Sequence, residues 1–185
     1  MSDLTVITPP AGEPVSLDAA KEFLRLGTDA EDGLVARLIA SARAQIEAAS
    51  GLALVTRTLR RTWRRWPWTI AAGGARLRPG PVGALVSVTR IDGAGAEETL
   101  TGRFDICGGK LRLKAGEALP GIAVGGRVEV VFQAGFGAPG EVPEDLQHAV
   151  KLHVQATYLR GSERPLSGVP EDVQAILDAR REWAI

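Results

Sequence analysis

Residues 28–66 read TDAEDGLVARLIASARAQIEAASGLALVTRTLRRTWRRW, and the spacing of apolar side chains changes within this stretch. Up to Ser50 the period is helical. Leu34, Leu38, Ala42, Ile46 and Ala49 recur about every four residues, with Val35 and Ile39 widening the stripe, which predicts a long amphipathic helix. Thr28 and Glu31 have the spacing of a capping box at its start, and Ser50-Gly51 suits its end. Ala30, Ala36, Ala40, Ala44 and Ala48 leave the remaining surface of the helix small. This reflects either alanine's helix propensity or close packing against a neighbouring helix or subunit.

Beyond Gly51 the composition turns to Thr, Val, Leu, Trp and Arg, and the pattern becomes that of strands. Strands are expected at 54–66, 75–78, 85–92, 97–100, 104–107, 110–114 and 127–133. Asp92-Gly93-Ala94-Gly95 and Gly108-Gly109 supply hairpin loops, while Pro79-Gly80-Pro81 cannot sit inside a central strand. The clearest alternation is 127–132, where Val128, Val130 and Phe132 face one way. One small antiparallel β-structure accounts for 52–136.

Helices flank this region. Ser16 caps a short helix that carries Leu17, Ala20 and Leu24 on one face and is expected to stop at Gly27. After Gly140, Pro143 with Glu144 and Asp145 opens a third helix, with Leu146, Ala149, Val150, His153 and Thr157 on its stripe. A polar loop leads to a fourth, from Pro170, carrying Val173, Ile176, Leu177 and Trp183. The fold class is therefore α+β, a helical core of two N-terminal and two C-terminal helices with a β-rich antiparallel insertion. By residue number this gives an extended N-terminal arm at 1–15, helices at 16–51, the β-rich insertion at 52–136 and C-terminal helices at 141–185.

The 185 residues are 45% apolar and 24% charged, enough for an ordinary folded domain, and 22 basic side chains balance 22 acidic ones. The balance is a cancellation. Residues 1–50 carry a net −4, residues 51–140 a net +7 and residues 141–185 a net −3. The single cysteine, Cys107, excludes an internal disulfide framework and a multi-cysteine zinc site, and fits a reducing compartment. No apolar run approaches the roughly 20 residues that span a bilayer, and the N-terminus lacks the order of a secretory signal.

Catalytic templates find little here. His148 and His153 are five apart, roughly 140° around a helix, and cannot chelate one metal as an i, i+4 pair would. His153 reads as a partly buried stripe residue and Cys107 as a buried small one. The glycine pairs read as turns rather than phosphate loops, and the carboxylates cluster in first turns and on polar faces. The expectation is a non-enzyme without cofactor or metal.

What stands out is Arg57, Arg60, Arg61, Arg64 and Arg65 interleaved with Trp63, Trp66 and Trp68. Five guanidiniums in nine residues can track a phosphate backbone, and arginine beside tryptophan favours stacking. In alternation, however, neither face of the segment is purely basic. A subunit interface, self-pairing with the chain's own acids, and DNA contact all remain open, and a stand-alone nucleic-acid- or ligand-binding domain is the alternative function.

The chain also resembles a family. Pro-x-x-x-Glu-Pro-Val-Ser-Leu-Asp-Ala-Ala-Lys-x-Phe-Leu-Arg from Pro9, the stretch 29–54, Thr56-Arg57-Thr58-Leu59, Leu85-Val86-Ser87-Val88-Thr89, Phe132-Gln133-Ala134-Gly135-Phe136-Gly137 and Val142-Pro143 are similar to the signature of phage head-tail connector (adaptor, or head-completion) proteins. The motifs are individually weak, but their order and spacing span nearly the whole chain. The resemblance implies a single adaptor domain over 1–185. About twelve copies would form a ring below the portal of a tailed phage or gene transfer agent. The ring would extend the DNA channel and join head to tail, contacting the portal protein and a downstream stopper or tail protein, while DNA passes without sequence-specific binding. It implies assembly in the cytoplasm and residence in the virion at the head-tail junction, with no membrane contact. Carried over, the portal-docking end is Arg180, Arg181, Trp183 and Ile185.

Overall fold

The computed structural model describes residues 2–161 and 168–180. The α+β architecture is as expected, and the chain divides into two compact units: Met1–Pro9 with Thr56–Gly135, and Pro10–Val55 with Phe136–Ile185.

The second unit is helical: α1 (Leu17–Leu24), α2 (Asp32–Ser50), α3 (Glu144–Arg160) and α4 (Glu171–Ala179). Its core joins Val35, Ile39, Ala42 and Ile46 of α2 to Leu146, Ala149, Val150 and Val154 of α3 and to Val173 and Leu177 of α4. The buried stripe of α2 is thus centred on Val35 and Ile39. Leu34 and Leu38 lie at its margin, and Ala36, Ala44 and Ala48 are exposed. Ser16 caps α1 by accepting the Ala19 N–H at 3.2 Å. Two boundaries differ from expectation. α1 stops at Leu24 because Arg25 turns left-handed, at φ 60°, two residues before the glycine. α2 begins at Asp32 without a side-chain cap, so the Thr28/Glu31 capping box is not used. Glu31 instead accepts a 2.6 Å hydrogen bond from the Tyr158 hydroxyl of α3, a tertiary partner in place of the local one.

The first unit holds eight strands, β1 (Ser2–Thr8), β2 (Arg57–Trp63), β3 (Ala75–Arg76), β4 (Val82–Ile91), β5 (Glu97–Thr99), β6 (Phe104–Cys107), β7 (Lys110–Leu113) and β8 (Arg127–Ala134). They form two antiparallel sheets, ordered β1-β2-β8-β4-β5 and β3-β7-β6, where the sequence reading expects one β-structure. β8 lies at the centre of the larger sheet, and Val128, Val130, Phe132 and Ala134 alternate into its buried face. The N-terminal arm is extended, and its residues 2–8 are the edge strand β1, pairing Val6 with Leu59 and Leu4 with Arg61 across more than fifty residues of sequence. Pairing at that separation has no local signature.

Candidate interaction surface

β2 is flanked by β1 and β8, so its arginines sit over a sheet rather than on a free ribbon. Leu59 and Trp63 point into the core, and this orientation sorts the five guanidiniums. Arg57 lies half-buried at the start of the strand, opposite Ala134. Arg60 Nη1 reaches Glu129 Oε2 of β8 at 3.2 Å, and Glu129 also takes Arg127 Nε at 2.8 Å. Arg61 Nη2 donates to the Arg78 carbonyl at 2.7 Å, and burial pushes its guanidinium below the usual arginine range. Arg60 and Arg61 are therefore engaged within the unit. Arg64 and Arg65 are not: they follow the strand in an exposed bend and make no hydrogen bond or ion pair among the described residues.

The tryptophans divide in the same way. Trp63 is buried, and its ring lies 6.3 Å from that of Trp66. Trp66 stacks on Phe104 of β6 at 5.3 Å and 27°, and donates Nε1–H to the Pro120 carbonyl at 2.7 Å. Both pack within the unit, Trp63 in the core and Trp66 half-buried against β6. Trp68 opens a short 3-10 turn (Trp68–Ile70) and is 81% exposed. The sequence puts Trp68 in the same run as Trp63 and Trp66, but only the fold distinguishes the outward ring from the two inward ones.

That turn packs against β3 and β7, which add charge of the same sign. Arg76 of β3 stands directly opposite Lys110 of β7, a like-charge cross-strand pair that destabilises a sheet unless counter-charge arrives. Neither makes an ion pair among the described residues. In all, the first unit carries 13 basic and 7 acidic side chains, a net +6, and the second carries 9 and 15, a net −6.

Of the residues expected to dock a portal, Arg181, Trp183 and Ile185 lie outside the described residues. Arg180 is held inside its own unit. Its Nη2 reaches Asp145 Oδ1 of α3 at 2.6 Å, its Nε pairs with the other carboxylate oxygen, and the guanidinium lies 6.0 Å from the Phe136 ring centroid. The pair holds the Asp145 carboxyl below the usual carboxylate range and raises Arg180.

The histidines serve packing. His148 meets Phe23 edge-on at 5.9 Å. His153 is buried, its Nε2 3.3 Å from Gln45 Oε1, and burial pushes its imidazole below the usual histidine value. Cys107 is exposed at the end of β6 rather than buried, because it borders the Gly108-Gly109 turn. Among the described residues no group of three His, Cys, Asp or Glu side chains is placed to hold a metal ion, and no helix is long and apolar enough to cross a membrane.

No protein-family model and no curated protein sequence matches the chain. Solved structures do. A chain of the virion of a native gene transfer agent (GTA) particle is 28% identical with a TM-score of 0.82, covering 98% of this chain and 96% of that one. A chain from the neck of an empty GTA particle, computed with C6 symmetry, is 30% identical with a TM-score of 0.79, covering 96% and 94%. A chain from the neck of the native particle, computed with C12 symmetry, is 28% identical with a TM-score of 0.70, covering 96% and 93%. The match runs the length of both chains and includes both units, so this chain belongs to the same family as a component of the gene transfer agent neck.

Proposed function

We propose that the protein is a structural adaptor of a head-tail connector, forming a ring below the portal that extends the DNA channel and joins head to tail. The observation that carries this is the end-to-end likeness to neck chains from reconstructions with C6 and C12 symmetry. The division of charge supports it. A closed ring needs a heterologous interface with two different faces, and a subunit with a +6 unit and a −6 unit supplies them. Strong phosphate contacts repeated around a ring would hold DNA with a steep salt dependence. An acidic or neutral helical lining suits a conduit, with the arginines turned to neighbouring copies or to the tail. The C-terminal end, Arg180, Arg181, Trp183 and Ile185, docks on the portal, a contact to which aromatic and arginine side chains are suited. Partners are further copies, the portal and a downstream stopper or tail protein, and the role is non-enzymatic. The ring assembles in the cytoplasm and ends in the particle.

Co-purification with the portal protein, followed by imaging, tests this reading. The expected result is a ring of sixfold or twelvefold symmetry on the portal, lost on deletion of residues 181–185. A strict monomer that ignores the portal and binds duplex DNA with a steep salt slope would support the stand-alone nucleic-acid-binding alternative instead.

A further inference from the structure

We infer that Arg64, Arg65, Trp68, Arg76 and Lys110 form a docking surface for the acidic helical unit of a second copy of this chain. The inference rests on the ring reading above and narrows it to particular side chains. Two observations converge. Arg64 and Arg65 leave β2 in an exposed bend without a partner among the described residues, beside an outward Trp68. The turn that carries Trp68 packs against β3 and β7, where Arg76 faces Lys110 and neither forms an ion pair among the described residues. An exposed tryptophan among unpaired arginines has the composition of an interface hot spot, and the uncompensated cations call for carboxylates.

The chain itself carries the complement. Glu144 in the first turn of α3, and Glu171 and Asp172 in the first turn of α4, are exposed and form no ion pair among the described residues. A basic patch on one unit and acids on the other, all without ion pairs among the described residues, make two unlike faces, the arrangement a cyclic interface needs. Single-stranded nucleic acid fits the surface less well. Binding it would use successive outward aromatics as a stacking platform, and Trp63 is buried in the core while the half-buried Trp66 already stacks on Phe104.

Reciprocal charge reversal in the full chain tests the inference, with incorporation into purified particle necks as the readout and circular-dichroism melting as a control for folding. Arg64→Glu with Arg65→Glu should lower incorporation at least about tenfold, as should Glu144→Lys with Glu171→Lys and Asp172→Lys. Combining both sets in one chain should recover most of the loss, and Arg64→Lys with Arg65→Lys should incorporate normally. Incorporation unaffected by either reversal would overturn the inference, as would a folded combined variant no better than the worse single set. So would normal incorporation of the arginine reversal with impaired DNA passage, which would assign the surface to DNA. If the unaltered chain is itself absent from necks, the ring reading fails as well. If that chain enters necks and only the reciprocal rescue fails, the ring reading stands and the docking surface lies elsewhere.

Discussion

Replacing Trp66 and replacing Trp68 should have opposite consequences, although the two residues are two apart in one arginine-rich run. Trp66→Ala removes three things. The hydrogen bond to the Pro120 carbonyl is worth about 1 kcal/mol net. The stacked pair with Phe104 is worth about 0.5–1.5 kcal/mol beyond the area it covers. Trp66 is half-buried, so the apolar area returned to water adds about another 1 kcal/mol, less than a full core truncation costs. The total is about 3 kcal/mol, which for a unit of this size moves a urea midpoint by about 2 M. Trp66→Phe keeps the stack and loses the donor, and should cost about 1 kcal/mol. Trp68→Ala, at a ring 81% exposed, should stay within about 0.5 kcal/mol. Urea titration followed by tryptophan fluorescence suits the question, because three of the chain's four tryptophans lie in the β-rich unit. A double-mutant cycle between Trp66 and Phe104 should return a coupling of about 0.5–1.5 kcal/mol. If Trp68→Ala destabilised the unit as much as Trp66→Ala, or the cycle returned no coupling, the division into inward and outward rings would be refuted.

Other outcomes follow from the helical unit. His153 titrates below its ordinary value of about 6.5 because it is buried, so the unfolded chain binds its proton first as pH falls. The stability this contributes is complete above about pH 6.5 and is lost as pH falls through the lower folded value. Urea midpoints at pH 7.5 and 5.5 should therefore differ less in His153→Gln than in the parent, and an equal difference would sink the idea. Tyr158 is the chain's single tyrosine, and its hydrogen bond to the Glu31 carboxylate raises its phenol above the usual range. Ultraviolet titration should find it high and find Glu31→Gln bringing it down; a phenol indifferent to that change would argue against the contact. Ile46→Ala in the α2 core should cost about 2–5 kcal/mol, read as a shift of the helical melting transition. Arg180→Ala, which breaks a partly exposed pair with Asp145, should cost no more than about 1 kcal/mol, so a larger loss of portal binding would report docking rather than unfolding.

The α+β class, the order of helices around a β-rich segment, and the separation of acidic from basic stretches are legible along the chain. Each is written in local terms: a helical period through Ile46, a strand period through Phe132, turn residues between them, and a run of arginines. The structure decided what depends on contacts between distant residues. The extended arm became the edge strand β1 because its partner β2 lies fifty residues away. The Thr28/Glu31 cap gave way because Tyr158 offered Glu31 a tertiary hydrogen bond. The aromatic-basic run, uniform in sequence, was sorted by β8, β6 and the backbone carbonyls of Arg78 and Pro120. Glu129 took Arg60, the Arg78 carbonyl took Arg61, and Phe104 with Pro120 took Trp66. Arg64, Arg65 and Trp68 were left facing outward. Residue type fixes what a side chain can bind, but which partner it meets within 3 Å is set by strand register and packing, and neither is encoded in the neighbours along the chain.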